Sequence, residues 1–214
     1  VSLVIRTLNE EVYLKELLTA IVNQKLDGLN LEIVIIDSGS TDATLSIAES
    51  FSARITHISK EQFTFGRSLN MGSDYADGDI LVYISGHCIP SNNQWLCNLV
   101  KPILDGIAQY TYGRQIGRDT TKYSERKIFN KYFPPTSKIP QSDIFCNNAN
   151  SAIARDIWSK FQFNEQVTGL EDMELSKRLC EQGGKVAYVA EACVFHIHNE
   201  RWGQTQRRYE RESI

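Results

Sequence analysis

The stretch that most constrains the fold is residues 79–90, DILVYISGHCIP, in which five largely apolar residues lead into a small polar break. An apolar, β-branched run that ends at Ser85 and Gly86 predicts a buried central strand. Open parallel sheets bind ligands beside the carboxyl ends of their strands. We therefore expect Ser85, Gly86 and His87 to lie in a ligand-binding crevice.

The chain before this stretch alternates between strand and helix patterns. Apolar runs at residues 1–5, 31–36 and 54–58 predict three strands, and each is followed by apolar residues at helical spacing. Such alternation predicts right-handed crossovers and a parallel sheet. The expected fold class is α/β, with a Rossmann-like half in which a mostly parallel central sheet is flanked by helices.

The later part of the chain is less regular. Its predicted elements are helices over residues 95–104, 155–160 and 171–182 and strands over 110–113, 186–189 and 193–195. Residues 114–140 are polar and aromatic and contain two adjacent prolines, so they predict a helix and a loop above the crevice. At 214 residues we expect a single domain, 1–214, excised from a longer protein because the chain begins directly in a strand.

The composition limits the kinds of partner that the chain is expected to bind. A net charge of −3 gives no reason to expect nucleic-acid binding, and no apolar run approaches the roughly 20 residues that cross a bilayer. Any membrane association would then be peripheral. The five scattered cysteines indicate neither a zinc cluster nor a disulfide framework. We expect a cytoplasmic location, with the inner face of the plasma membrane as an alternative.

Four short polar stretches stand where one sheet edge would bring them together, and they are residues 7–10, 37–40, 85–88 and 169–172. They belong to VSLVIRTLNEE, EIVIIDSGSTDAT, DGDILVYISGHCIP and GLEDMELSKRL, in that order along the chain. With these motifs the whole chain resembles the family 2 glycosyltransferases of the GT-A fold, and most of all bacterial rhamnosyltransferase-type members. The resemblance implies a nucleotide-binding half over 1–90 and an acceptor and catalytic half over 91–214.

The resemblance implies a nucleotide site at the ends of the first strands. Asp37 matches the aspartate that binds the nucleotide base, and Thr7 lies beside that base. The other residues implied on the nucleotide side are Asn9, Glu10, Ser40, Arg67, Ser85 and Gly86, with Arg201 and Trp202 at the phosphates. The alternative is that Asp37 and Ser40 only cap the next helix.

The metal motif departs from the family pattern. Where Asp-x-Asp is usual, this chain has Ser85-Gly86-His87, which is similar to the Asp-x-His of polypeptide N-acetylgalactosaminyltransferases. The similarity implies His87 and His196 as ligands of Mn²⁺ or Mg²⁺, with His198 as second choice. Imidazole is a less suitable manganese ligand than oxygen, so we expect weak binding without nucleotide. Alternatively, both imidazoles bind the phosphates directly, with Arg67 or Arg201 supplying positive charge.

The acid pair Glu171 and Asp172 follows a Gly-Leu break at a predicted helix start, which predicts exposed carboxylates that point at the crevice. The resemblance implies that Asp172 is the general base of an inverting transfer, with Glu171 beside it. The alternative is that both acids only stabilise the helix through its dipole. Residues expected to contact the sugar or the acceptor are Trp95, Asn147, Asn148 and Gly169, although Trp95 equally suits helix packing.

The expected function is inverting transfer of a sugar from a UDP- or dTDP-linked donor to an oligosaccharide or lipid-linked saccharide, in capsule or O-antigen synthesis. A sugar nucleotidyltransferase is a second hypothesis, but it would need a Gly-rich basic loop after the first strand, where this chain has residues 6–11, RTLNEE. A third hypothesis is a non-catalytic module that binds nucleotide sugars.

Overall fold

The structure is a computed structural model that describes residues 1–198, Gly203 and Gln206. Its described strands are β1 Ser2–Thr7, β2 Glu32–Asp37, β3 Arg54–His57, β4 Ile80–Ser85, β5 Cys88–Pro90, β6 Tyr110–Ile116, β7 Asn150–Ala154 and β8 Val186–His196. Its described helices are α1 Leu14–Val22, α2 Thr44–Ser50, α3 Phe65–Tyr75, α4 Trp95–Leu104, α5 Tyr123–Tyr132, α6 Arg155–Phe161 and α7 Glu171–Glu181.

The strands form one eight-stranded sheet in the order β3-β2-β1-β4-β7-β6-β8-β5. The first four of these strands are parallel, as the alternation in residues 1–90 predicted. β7 runs antiparallel to both of its neighbours, and β6 and β8 are parallel to each other. The predicted α/β class with a mostly parallel sheet is confirmed, and the carboxyl ends of β1, β2 and β4 share one edge.

Helices cover both faces of the sheet, which explains why its strands are apolar runs rather than alternating patterns. Along β1, Leu3 and Ile5 pack into one core cluster and Val4 into the other. α3 approaches the sheet closely through Gly72, where a Cβ atom would collide with the side chains of Ile36 and Val4. This contact places the N-terminus of α3 beside the carboxyl ends of β1 and β2.

The strands β5, β7 and β8 differ from the prediction. β5 and β7 were not predicted, because three residues carry too little pattern and the polar segment before β7 resembles a loop. The two closing strands are one continuous strand, β8. Residues 114–140 do contain a helix, α5, and its Phe129 ring stacks on the ring of His196 at 5.8 Å between centroids.

Trp95 corrects another expectation. Its side chain is completely buried in the core, and the indole N–H donates to Asn150 Oδ1 at 2.9 Å. The sugar contact predicted for Trp95 is therefore wrong, and the packing alternative describes its role. Within the part of the chain that the structure describes, no helix has the length and apolar character needed to span a membrane.

Candidate active site

A cavity of about 330 Å³ opens at the carboxyl ends of β1 and β4, which is within the usual size range of ligand pockets. Its wall is built from four parts of the chain: the end of β1 with the segment after it, the residue after β2, the segment leading into α3, and the end of β4 with the turn after it. The lining residues are Arg6, Thr7, Leu8, Glu10, Ser38, Lys60, Phe63, Phe65, Ser85 and His87. The cavity thus combines aromatic rings, two cations and several hydrogen-bonding groups.

The loop after β2 is held by Asp37, whose side chain is 1% exposed. Its carboxylate accepts hydrogen bonds from the Thr7 hydroxyl at 3.0 Å and from the backbone N–H groups of Gly39 and Ser40 at 2.9 and 2.8 Å. The Ser40 hydroxyl also donates to it. Burial raises the pKa of Asp37, but these hydrogen bonds outweigh burial and hold the pKa below its ordinary value.

Asn9 joins this loop to the segment after β1. Its backbone N–H donates to the Ser40 hydroxyl at 2.8 Å, and its side-chain oxygen accepts from the Thr41 N–H at 2.9 Å. The structure therefore brings together four residues predicted on the nucleotide side: Thr7, Asn9, Asp37 and Ser40. Because a carboxylate has about four acceptor positions, a nucleotide base could bind Asp37 only by displacing one of these internal donors.

Glu10 and His87 meet across the cavity wall. Glu10 Oε1 lies 2.8 Å from His87 Nδ1, and both side chains are more than two-thirds buried. Gly86 permits this approach, because a Cβ atom there would lie 2.8 Å from Glu10 Cγ and 3.3 Å from the Arg6 carbonyl oxygen. The break after β4 therefore orients His87, as the sequence motif suggested.

Three of the four histidines in the chain form a cluster: His87, His196 and His198. The ring centroid of His87 lies 5.2 Å from that of His196 and 5.5 Å from that of His198. The centroids of His196 and His198 are 4.1 Å apart. Their ligand nitrogens all lie within 4.8 Å of one another. The cluster adjoins the cavity because His87 belongs to both.

Glu171 and Asp172 begin α7 and are 4% and 7% exposed, so the prediction of exposed carboxylates is wrong. Asp172 Oδ2 accepts the backbone N–H of Asn148 at 3.0 Å. Arg6 connects the pair to the cavity, since its Nη1 lies 3.9 Å from Glu171 Oε1 and its guanidinium stacks on the Phe65 ring at 4.8 Å.

The environment changes the acidity of Asp172. Burial raises its pKa to about 7, and the neighbouring Glu171 carboxylate adds to the rise, while the N–H groups of Asn148 and Met173 and the Arg6 charge oppose it. Leu170, directly before the pair, has a left-handed backbone with φ 61°. Non-glycine residues in this region cluster at functional sites. The arrangement gives a carboxylate poised to exchange a proton near neutral pH.

The raised pKa of Asp172 predicts a pH-dependent stability. Because the folded pKa of about 7 exceeds the ordinary value of 3.8, the folded state retains a proton that the unfolded state loses between these values. The contribution of Asp172 to stability is therefore full at low pH and is lost as the pH rises to about 7. The Tm of an Asp172→Asn variant, relative to wild type, should be higher at about pH 8 than at about pH 5. Parallel Tm profiles would contradict the raised pKa.

The remaining predicted site residues are Asn147, Asn148 and Gly169, which were expected to contact the sugar or the acceptor. Asn148 is 2% exposed and hydrogen-bonded to Tyr110, Ser151 and Asp172, so the predicted sugar contact at Asn148 is wrong and its role is to hold the acid pair. Asn147 accepts a hydrogen bond from Gln115, which in turn contacts His196. Gly169 lies partly exposed just before α7.

The cations that line the cavity are not the ones that the sequence predicted for the phosphates. Arg67 is held by Glu165 at 2.8 Å and lies outside the described lining of the cavity, while Arg201, with Trp202, falls outside the described residues. The cations that line the cavity are Arg6 and Lys60. A signal existed for Arg6, because it directly precedes Thr7 at the end of a buried strand.

Comparison with known proteins identifies the family. Residues 2–160 match the family described as "Glycosyl transferase family 2". The chain belongs to this family. Among curated family members, it is 27% identical over 212 residues to the O-antigen chain rhamnosyltransferase RfbN of Salmonella typhimurium, covering 93% of this chain and 67% of RfbN. It is 34% identical over 205 residues to the putative glycosyltransferase EpsH of Bacillus subtilis, covering 94% of this chain and 53% of EpsH.

Solved structures show the same fold for this family 2 chain. The mannosyltransferase PcManGT from Pyrobaculum calidifontis, in complex with GDP-Man and Mn²⁺, matches with a TM-score of 0.76 and 18% identity over 99% of this chain and 61% of PcManGT. Staphylococcus aureus TarS 1-349, in complex with UDP-GlcNAc, matches with a TM-score of 0.75 and 15% identity over 95% of this chain and 60% of TarS 1-349. The chain spans 53–67% of the length of these four proteins.

Proposed function

We propose that this chain is the catalytic domain of an inverting glycosyltransferase that moves a sugar from a nucleotide-diphosphate donor to a saccharide acceptor. One observation carries the proposal. Arg6 lines the cavity and also lies 3.9 Å from Glu171, so a ligand-sized cavity adjoins a buried acid pair in which the pKa of Asp172 is raised to about 7. Titratable groups with shifted pKa values beside a cleft are typical of active sites.

The proposed base is Asp172. An ionised Asp172 takes the proton from the acceptor hydroxyl as that oxygen attacks the anomeric carbon, on the face opposite the departing diphosphate. A pKa close to the working pH suits this task, because the group is partly ionised and still basic enough to bind the proton. Glu171, which lies 3.9 Å from Arg6, raises the pKa of Asp172 through its charge and so contributes to the basicity of Asp172.

The donor is proposed to lie in the cavity between β1 and the N-terminus of α3. Phe63 and Phe65 offer aromatic faces to a base, and Thr7 offers hydrogen-bonding groups beside the loop that Asp37 shapes. Arg6 and Lys60 bring positive charge to the diphosphate, which preorganised cations stabilise as it leaves. By resemblance the donor is linked to UDP or dTDP, and Ser85 and Gly86 lie beside its phosphates, with Arg201 and Trp202 as further candidates.

The residues at the end of β4 and β8 fit a divalent cation. His87 and His196 were the ligands implied by the sequence, and their rings lie 5.2 Å apart. PcManGT carries Mn²⁺ in its complex, which supports a divalent cation as the proposed cofactor here. A bound ion would supply a Lewis acid that neutralises the leaving diphosphate.

The biological setting follows from the relatives. RfbN is named an O-antigen chain rhamnosyltransferase, and TarS a poly(ribitol-phosphate) N-acetylglucosaminyltransferase. We place this chain in the synthesis of a bacterial surface polysaccharide such as capsule or O-antigen, with an oligosaccharide or lipid-linked saccharide as acceptor. Such an acceptor would place the chain in the cytoplasm at the inner face of the plasma membrane.

The test combines donor binding with product analysis. Ligands that bind only the native state raise its Tm, so we expect UDP- or dTDP-linked sugars to raise the Tm of the full chain. With a saccharide acceptor, the chain should release nucleoside diphosphate and form a glycoside whose anomeric configuration, measured by NMR, is opposite to that of the donor. Retained configuration would refute the inverting mechanism. Release of pyrophosphate from a sugar phosphate and a nucleoside triphosphate would indicate the nucleotidyltransferase, and donor binding without turnover the binding module.

A further inference from the structure

We propose that His87, His196 and His198 form a three-nitrogen site that binds one divalent transition-metal ion in the nucleotide-free protein and discriminates against magnesium. The inference concerns the ion alone. It therefore goes beyond the proposed transfer reaction and can be tested without a donor or an acceptor. It also revises two expectations, weak metal binding and Mg²⁺ as a candidate ion, which rested on two imidazoles rather than three.

The backbone brings the three rings together. β5 pairs with β8 so that Cys88 faces His196, and the Ile197 N–H donates to the His87 carbonyl oxygen at 3.2 Å. His196 and His198 are two residues apart at the end of an extended strand, where side chains two apart share one face. The ligand nitrogens already lie within 4.8 Å of one another. Metal–nitrogen bonds of about 2.0–2.1 Å place tetrahedral ligand nitrogens about 3.4 Å apart, so binding requires a contraction of up to about 1.4 Å.

Each ring is oriented by an oxygen atom on its Nδ1 side. Nδ1 of His87 lies 2.8 Å from Glu10 Oε1. Nδ1 of His196 lies 2.6 Å from Gln115 Oε1, and Nδ1 of His198 lies 2.5 Å from Glu125 Oε1. Histidines that bind metals almost always donate their second ring N–H to a carboxylate or carbonyl oxygen, which fixes the tautomer that coordinates through Nε2. Each of the three histidines therefore has the Nδ1 contact that is typical of a metal ligand.

The orienting groups stand on well-packed elements. Gln115 is on β6 and is 2% exposed, and its amide donates to Asn147 Oδ1 at 2.9 Å. Glu125 is on α5 and is 4% exposed. Glu10 approaches His87 through the space left by Gly86. Two of the three orienting groups are carboxylates, which are common partners of metal-binding histidines.

The donor set decides which ion binds. Imidazole nitrogen suits zinc, copper, nickel and iron, whereas magnesium prefers oxygen ligands and retains its water. The described cluster offers three imidazole nitrogens as ligands, and no carboxylate belongs to it. We therefore expect zinc and cobalt to bind more tightly than manganese, and magnesium to compete poorly.

The test measures metal binding by the full chain after chelator treatment. Equilibrium dialysis with elemental analysis should give one Zn²⁺ per chain, and Co²⁺ should produce the visible absorption bands of a nitrogen-coordinated, four- or five-coordinate ion. Magnesium in large excess should displace neither ion. Absence of Zn²⁺ and Co²⁺ binding by the wild-type chain would refute the site, as would displacement by equimolar magnesium.

Variants locate the ion. His198→Gln should lower the Zn²⁺ affinity at least tenfold, and Glu125→Gln, which keeps an oxygen at the same place, about tenfold to a hundredfold. His57→Gln is the matched control, because His57 is the one histidine of the chain outside the cluster and its side chain is 64% exposed. Equal affinity losses in His57→Gln and His198→Gln would refute the assignment. Circular dichroism of each variant checks folding, and the wild-type measurement stands if a variant fails to fold.

Discussion

Replacing Asp172 with Asn should lower the kcat of sugar transfer by about 10²- to 10⁴-fold, the usual contribution of a positioned general base, and should leave the chain folded. Asparagine keeps an oxygen that can accept the N–H of Asn148 or Met173, but it cannot take a proton from the acceptor. Because Asp172 is not among the residues that line the proposed donor cavity, donor binding measured by thermal shift should change little. The measurement is kcat and KM for transfer, beside the Tm shift with donor.

The matched control for Asp172→Asn is Glu181→Gln at the other end of α7. The Glu181 side chain is 62% exposed and pairs only loosely with Lys177 at 3.8 Å, so its loss should change neither kcat nor KM. A fall in kcat shared by both variants would indicate a general effect on the helix. A normal kcat in Asp172→Asn would remove Asp172 as the base, and with it the proposed mechanism.

The first half of the fold could be predicted because each strand there is a continuous apolar run between polar turns. The observed strands Ser2–Thr7 and Ile80–Ser85 lie within two residues of the predicted ones. Burial on both faces of a parallel sheet leaves this pattern in the sequence. β7 left no such pattern, because Asn150 and Ser151 are buried polar residues. The Asn150 amide donates to the Arg114 carbonyl oxygen, and the Ser151 hydroxyl donates to Asn148 Oδ1.

Part of the candidate site could be predicted because the sequence pattern locates the ends of the strands. Residues at the ends of predicted strands, such as Thr7 and His87, could be placed at one edge by topology alone. The orientation of a side chain could not be predicted in this way. Asn148 was expected to contact the sugar, and for Trp95 a sugar contact and helix packing were equal alternatives, but both side chains are buried. The position of Arg6 before Thr7 indicated the sheet edge, but its contacts with Phe65 and Glu171 depend on packing that the sequence does not show.

The second large effect is expected at Arg6. Replacing Arg6 with Met should lower the kcat of transfer at about pH 7 by roughly tenfold or more, and the acidic limb of the pH–rate profile should move to higher pH. The Arg6 charge opposes the rise in the pKa of Asp172, so its loss raises that pKa further above about 7. Each additional pKa unit lowers the ionised fraction of the base about tenfold at a pH below the pKa.

The comparison variant is Arg6→Lys, which keeps the positive charge near Glu171 but loses the planar group that stacks on Phe65. If charge sets the basicity of Asp172, Arg6→Lys retains the wild-type pH profile and loses activity mainly through KM. A buried carboxylate left without its cation also destabilises a protein, so Arg6→Met should lower the Tm more than Arg6→Lys does.

An unshifted pH profile in Arg6→Met, with normal kcat at high and low pH, would show that the cation neither supports the base nor faces the donor. The cavity and the acid pair would then be separate features, and the reaction site proposed between them would be wrong.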